Sequence, residues 1–296
     1  MKALVFGSLN IDKVYSLPYL PQQGETLYCR NYEIHVGGKG LNQSVSLKKS
    51  GSDSYMAGLI GKDGKMLKDF LNDLGINTDY VGTVNGFTGH AVIEVDSNGQ
   101  NQMILFPGAN GEITPEYCDR VLENFGEGDL ILMQYETSSV DYLIRLAKKK
   151  KMIIAFNPSP YTEEIKSLPL DNIDYLILNE FEGQSLSGKK DCDEAVDVLR
   201  KLNENGAVVM TLGGDGVIYA DKNEKIKVPA FKVSAVDTTG AGDTFTGYFL
   251  SEILSGANPK KALTTASAAS AIVVQKSGAA ETVPEKEEVE KFLQKM

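Results

Sequence analysis

Six short apolar, partly β-branched runs, KALVFG, SYMAGLI, DLILMQ, MIIAFN, YLILN and AVVMTL, recur along the chain, and amphipathic stretches of helical length separate most of them. An apolar run this short, bounded by turn residues, fits a strand buried on both faces, and a helix between two such strands returns the chain to the same sheet. The alternation predicts a doubly wound, mostly parallel α/β sheet with helices on both faces. Two regions break the rhythm, residues 12–36 and 87–107, and in the second HAVIEVDSNGQNQMILF reads as two strands joined by an Asn-Gly-containing turn. Together they predict a small β-sheet lid. No internal repeat, low-complexity tract or Pro/Ser-rich linker marks a second folding unit, so the lid is expected as an insertion in a single domain spanning 1–296.

Composition narrows the partners. The 296 residues are 42% hydrophobic and 24% charged, enough for a sizeable core. Thirty basic against forty acidic residues leave a formal charge of −10, which argues against broad nucleic-acid or anionic-membrane binding and for a small-molecule partner. The basic run 148–151 ends a predicted helix, where cations complement the helix dipole, and reads as a solvated face. Cys29, Cys118 and Cys192 lie far apart with no CxxC or Cys/His cluster, so neither zinc nor a disulfide framework is indicated and a reducing cytoplasm fits. MKALVFGSLNID has too short an apolar run for a signal peptide, and nowhere do about 18 apolar residues run together, so a soluble, unprocessed chain is expected.

Elimination shapes the chemistry. With only His35 and His90 present, a Ser-His-Asp triad or an HExxH site has almost nothing to work with, and acid-base work falls to carboxylates. Neither GxxxxGK[ST] nor a strand followed by GxGxxG occurs, so any phosphate site is built differently. The stretch DTTGAGDTF, residues 237–245, places two glycines and Asp243 where a strand or loop hands over to a helix. Such a junction can hold an anion on free N–H groups, and an aspartate there either caps the helix or acts in chemistry. VGGKGLNQ, residues 36–43, is a second glycine-rich turn opening a helix, and it carries Lys39 and Asn42, donors suited to sugar hydroxyls. Asn10 and Asp12 follow the first strand at its carboxyl end, two residues apart and so on one face, and Glu136 ends another strand. Taken separately, each of the three fits a turn or surface role better than a ligand-binding one. In NEFE, residues 179–182, Asn179 and Glu182 have capping-box spacing. TLGGDG, residues 211–216, either exposes backbone to a flat base or a phosphate, or makes a tight hairpin before VIYA.

Taken together and in this order, GSLNID, GGKGLNQ, NEFE, TLGGDG and DTTGAGD, spread over almost the full length, resemble the ribokinase family of sugar kinases. Within it, GGKGxNQ after an N-terminal NxD is more similar to members that phosphorylate ribose than to those acting on fructose, adenosine or ketodeoxygluconate. The resemblance implies a ribokinase-like fold and ATP-dependent phosphorylation of D-ribose on its primary hydroxyl. A fructose or nucleoside kinase of the same family is the near alternative. A non-catalytic sugar- or nucleotide-binding regulator is the distant one, and the intact GAGD segment argues against it.

Carried over residue by residue, the resemblance implies that Asn10, Asp12, Gly38, Lys39, Gly40, Asn42 and Glu136 hold the sugar. Asp243 is then the general base, and Gly240, Ala241 and Gly242 offer N–H groups to the moving phosphoryl group. Asn179, Thr211, Leu212, Gly213, Gly214, Asp215, Gly216, Gly242 and Ser267 fall on the ATP site, and Glu182 on the position that helps to hold Mg2+ through water. Asp237, Thr239, Val273, Lys276, Gly278 and Thr282 fall on the site of a monovalent cation, usually potassium. A homodimer through the β-lid is also implied. Two departures stand out: Ser267 where the family often carries a histidine near adenine, and Lys276 in place of an arginine.

Overall fold

Buried on both faces, the four residues of β1 (Ala3–Phe6) lie within a nine-stranded sheet in the computed structural model, which describes residues 1–295. On one side of β1 lie β4 (Ser54–Ile60) and β5 (Asn77–Thr83). On the other lie β8 (Leu130–Gln134), β9 (Ile153–Asn157), β10 (Tyr175–Asn179) and β11 (Ala207–Thr211), and these seven strands are parallel. All six apolar runs become parallel strands, as the alternation predicts. Antiparallel β12 (Val217–Ala220) and β13 (Lys225–Val228) complete one edge.

Strand pleating divides the core in two. Ala3 and Val5 point to the layer built by α1 (Lys39–Lys49), α2 (Lys65–Asp73), α7 (Ala241–Leu254), α8 (Pro259–Val273) and α9 (Lys286–Gln294). Leu4 and Phe6 point to the layer of α3 (Pro115–Leu122), α4 (Val140–Lys149), α5 (Glu180–Ser187) and α6 (Cys192–Leu202). The chain first extends the sheet from β1 through β4 to β5, then returns to lay β8 on β1's other side. At such a switch point the loops leaving the two strands diverge and open a crevice at their carboxyl ends.

A second sheet, in the order β3-β2-β6-β7, stands apart from the first. It consists of β2 (Asn10–Ser16), β3 (Asn31–Gly37), β6 (Gly89–Val95) and β7 (Asn101–Phe106). Gly7, Ser8 and Leu9 alone separate β1 from β2, so this sheet begins at Asn10 rather than Asp12. The β6–β7 turn is closed by Asp96, whose carboxylate accepts from the amides of Asn98 and Gln100 at 2.8 and 2.9 Å. Among the described residues, no helix is long and apolar enough to cross a membrane.

Candidate active site

The site starts where α1 crosses the end of β1. A Cβ at Gly38, whose φ is +95°, would lie 2.8 Å from the Ser8 carbonyl oxygen, and one at Gly40 would lie 2.6 Å from the Gly7 carbonyl carbon. Only glycine permits this approach. The amide of Leu41 then donates to the Ser8 carbonyl at 3.0 Å and that of Gly40 to Ser8 Oγ at 3.2 Å. Ser8 Oγ in turn donates to the Glu136 carboxylate, which also accepts from the Lys39 amide at 3.3 Å. The loop after β8 is thereby tied to the glycine-rich turn. Burial pushes the Glu136 pKa above the ordinary glutamate value, against the pull of Lys39 and of the Ser8 hydrogen bond.

Asn10 Oδ1 accepts from Asn110 Nδ2 at 2.7 Å, and Asn110 Oδ1 accepts from the Leu9 amide at 3.1 Å. Asn110 lies in the short 3-10 turn Gly108–Glu112 that follows β7, so a buried amide anchors this turn to the junction of β1 and β2. Asp12 is pushed up to about 7, chiefly by burial and next by Glu136, with His35 opposing.

A cavity of about 570 Å³ opens beside this cluster, lined among others by Lys39, Asn179, Glu182, Thr211, Gly240 and Asp243. A second, of about 280 Å³, is lined by Gly214, Gly216, Phe231, Ala241, Phe245 and Ser267 and shares Thr211, Gly213, Thr238 and Gly242 with the first. The Asn179–Glu182 pair does form a capping box: Asn179 Oδ1 accepts from the Glu182 amide at 2.8 Å, and Glu182 Oε2 from the Asn179 amide at 2.9 Å. Glu182 is nevertheless part of the cavity wall, and burial raises its pKa against those hydrogen bonds. TLGGDG is a hairpin, its 3-10 turn Gly213–Asp215 joining β11 to antiparallel β12. Of its residues, Leu212 and Asp215 line neither cavity: Leu212 packs on the core and Asp215 is exposed.

Asp243 does not cap its helix. The N-cap of α7 is Gly240, in the left-handed region with φ 73°, and makes no side-chain cap. The first-turn amides of Gly242 and Asp243 have no partner among the described residues. The Asp243 carboxylate instead accepts from Asn42 Nδ2 at 3.1 Å and from Gln43 Nε2 at 2.8 Å, both on α1. The two helices are close enough for Ser46 Oγ to donate to the Thr244 carbonyl at 2.8 Å. Lys39 stands between both sides of the site. Burial alone would lower its pKa, but Asp243, Glu136 and Glu182 more than offset this and hold it above the usual lysine value.

The expected cation residues meet where the loop before α7 touches the loop after α8. Asp237 accepts from the Thr239 amide and hydroxyl at 2.9 and 2.6 Å and from the Gly278 amide at 3.1 Å. Partial burial would raise its pKa, but these bonds outweigh that and lower it. Thr282 Oγ1 donates to the Gly278 carbonyl at 3.0 Å, and the Val273 carbonyl accepts from the Lys276 amide at 3.0 Å. The Lys276 ammonium turns away and pairs with Glu288 on α9 at 3.0 Å. Among the described residues, no group of three or more His, Cys, Asp or Glu side chains is placed to hold a metal ion.

Sequence reasoning missed Ser8, Gln43, Asn110, Gln134 and Asn157. Gln134 and Asn157 end β8 and β9, so the rule that ligands bind at carboxyl ends could have found them. Asn110 carried no signal, because its partners are about a hundred residues distant.

Comparison with known proteins agrees with this geometry. The pattern of the pfkB family carbohydrate kinases matches residues 1–286. The chain is 36% identical over 302 residues to a ribokinase of Haemophilus influenzae, covering 98% of this chain and 97% of that one. The crystal structure of a ribokinase from Thermotoga maritima superposes with a TM-score of 0.89 at 35% identity, covering 99% of both chains. The structure of Arabidopsis thaliana ribokinase complexed with ribose and ATP also gives 0.89, at 32% identity over 99% of this chain and 98% of that one. Matched from end to end in sequence and in fold, this protein belongs to the pfkB family of carbohydrate kinases, the ATP-dependent sugar kinases that include ribokinase.

Proposed function

We propose that the enzyme transfers the γ-phosphoryl group of ATP to the primary 5-hydroxyl of D-ribose, giving D-ribose 5-phosphate and ADP, with Asp243 as general base. One observation carries this reading: Asp243 belongs to both halves of the site. Its backbone opens a helix beside the larger cavity, with two unpaired amides, while its carboxylate is bonded to Asn42 of the glycine-rich turn. The sugar is held by Asn10, Asp12, Asn42 and Glu136, with Gly38 and Gly40 bringing the turn in close. The ribose and ATP bound by the Arabidopsis relative support both ligands. Asp243 takes the hydroxyl proton as that oxygen bonds to the γ-phosphorus, and the bond from phosphorus to the bridging oxygen of ADP breaks. The Gly240–Gly242 turn and Lys39 receive the charge on the phosphoryl oxygens.

The triphosphate spans the larger cavity and the base enters the smaller, apolar one beside Ser267. Glu182 presents a single buried carboxylate to the cavity, which fits a magnesium ion carried in by the phosphates and held through water. When bound, that ion neutralises phosphate charge. The Asp237–Gly278 junction would hold a potassium ion, with Asp237, Thr239, Val273, Lys276, Gly278 and Thr282 as the residues around it, and the ion would steady the loop that leads into Gly240–Gly242. The small sheet closes over the sugar and excludes water, and its exposed apolar strands pair two copies of the chain.

The test is ATP-dependent phosphorylation of ribose, fructose and adenosine by the native enzyme and by Asp243→Asn. Ribose should show the highest kcat/KM, by about tenfold or more. Asp243→Asn should lower kcat roughly 100- to 10,000-fold while ATP still binds. Preference for fructose or adenosine moves the substrate assignment, and a near-native rate in Asp243→Asn removes the base.

A further inference from the structure

Gln43 is fully buried on α1, and the proposed reaction gives it no role of its own. Its carboxamide is the hub of a hydrogen-bonded chain that ends on Asp243. Nε2 donates to Asp243 Oδ1 at 2.8 Å and to Asn157 Oδ1 at 3.1 Å, and Oε1 accepts from Gln134 Nε2 at 2.6 Å. Gln134 and Asn157 are register partners at the ends of β8 and β9, so neighbouring strands deliver both amides to the same buried spot. Asn157 Nδ2 donates to the Ile177 carbonyl on β10 at 2.9 Å.

That last bond sets the sense of the chain. A backbone carbonyl only accepts, so Asn157 must turn its NH2 toward Ile177 and its oxygen toward Gln43. Gln43 must then offer its NH2 to that oxygen, and the second hydrogen of the same NH2 falls to Asp243. A flipped Gln43 would set its oxygen against two other oxygens. Gln134 Oε1 has no partner among the described residues, so Gln134 enters the network only through the donor it gives Gln43.

We propose that Gln43 is the positioning residue for Asp243, with Asn157 and Gln134 fixing Gln43 in the donor orientation. The inference rests on the reading of Asp243 as the base and deepens it. The terminal torsion of an aspartate is soft, so a carboxylate held at one oxygen only can rotate. Asn42 holds Oδ2, but in the reading above it also binds the sugar, whose hydroxyls can draw the side chain off Oδ2 through an Oδ1 that has no partner among the described residues. Gln43, enclosed by strand ends, has no such competitor. It clamps Oδ1, so that Oδ2, once Asn42 turns to the sugar, stays aimed at the acceptor hydroxyl. Misplacement of a reacting group by about 1 Å can lower a rate about 100-fold.

The experiment is a double-mutant cycle in the full chain with ribose and ATP. Gln43→Met, which keeps the volume and removes the donor, should lower kcat about 10- to 100-fold, the scale on which supporting groups act, with both KM values within about threefold. In the Asp243→Asn background the same change should cost less than about threefold, because no base is left to aim. If Gln43→Met does not fold, Gln134→Met serves instead: it removes only the bond that steadies Gln43 and should lower kcat about 2- to 10-fold, again only while Asp243 is present. A native kcat in the variant that folds overturns the proposal, and so does an equal loss in both backgrounds, which marks a purely structural role. A near-native rate in Asp243→Asn alone removes the base reading as well, whereas a crippled Asp243→Asn beside a fully active Gln43→Met removes the positioning role only.

Discussion

Asp12 shows at the scale of one residue how the site loads its carboxylates. Burial and the neighbouring Glu136 raise its pKa from 3.8 to about 7, so the free enzyme carries it largely protonated below neutrality. The native state therefore holds a proton that the unfolded chain releases between about pH 4 and pH 7, and stability contributed by this residue falls as pH rises through that window. Above it the buried charge is present in full. Asp12→Asn should accordingly stabilise the fold at about pH 8, by roughly 1–3 kcal/mol once partial solvent screening is allowed for, and have little effect near pH 4. The ionised form is the better acceptor for sugar hydroxyls, so the KM for ribose should fall between about pH 6 and pH 8 in the native enzyme and stay high and flat in Asp12→Asn. Denaturant titrations at the two pH values and KM profiles check both. A pH-independent stability difference would show that Asp12 titrates in its ordinary range. Its two-residue spacing from Asn10 was readable in the sequence, but its raised pKa was not, because Glu136 is remote in sequence.

At the scale of elements, the Gly240–Gly242 turn is held from behind. α7 begins at Ala241 and α8 ends at Val273, and the loops flanking them meet through the Asp237–Gly278 hydrogen bond. A cation at this junction would touch neither substrate, yet it would stiffen the loop that leads into Gly240–Gly242. It should act on kcat through preorganised N–H groups, not on sugar affinity. Replacing potassium by a bulky organic cation at fixed ionic strength should lower kcat roughly tenfold with the ribose KM unchanged. Sodium should fall between, and Asp237→Ala should abolish the dependence. Equal rates in all three salts would leave Asp237 as a loop staple only, a task its bonds to Thr239 and Gly278 already perform. The Lys276 ammonium pairs with Glu288 on α9 rather than with Asp237 at the junction.

At the scale of the whole molecule, the second sheet leaves apolar surface uncovered. Met103, Ile104, Leu105 and Phe106 on β7 and Tyr32 and Ile34 on β3 are all exposed, on the two edge strands of a four-stranded sheet. Exposed apolar edges invite pairing, and a second copy of the same sheet would bury them symmetrically. The protein should run at about twice its 32.1 kDa mass in light scattering at micromolar concentration. Ile104→Lys combined with Leu105→Lys should give a folded monomer with a weaker grip on ribose, since the sheet then loses its support. A native protein that is monomeric throughout would remove the pairing.

The sequence by itself determined the main sheet. Each of the six apolar runs is long enough to cross the core once, and parallel strands buried on both faces need no tertiary information to be recognised. It also pointed to two turns, in which Gly38 and Gly240 take a left-handed backbone and Gly40 a close backbone approach that favour glycine. Tertiary structure alone decided what the side chains in those turns do. Asp243 could equally have capped α7, and NEFE could have been a cap or a site. In the fold, Gly240 occupies the cap position while Asp243 turns to α1, and the Asn179–Glu182 box is both a cap and part of the cavity wall. The network behind Asp243 joins Gln43, Gln134, Asn157 and Ile177 from four elements, across sequence separations of up to two hundred residues. Local patterning reaches only a few residues along the chain, so contacts of that length exist nowhere but in the packed molecule.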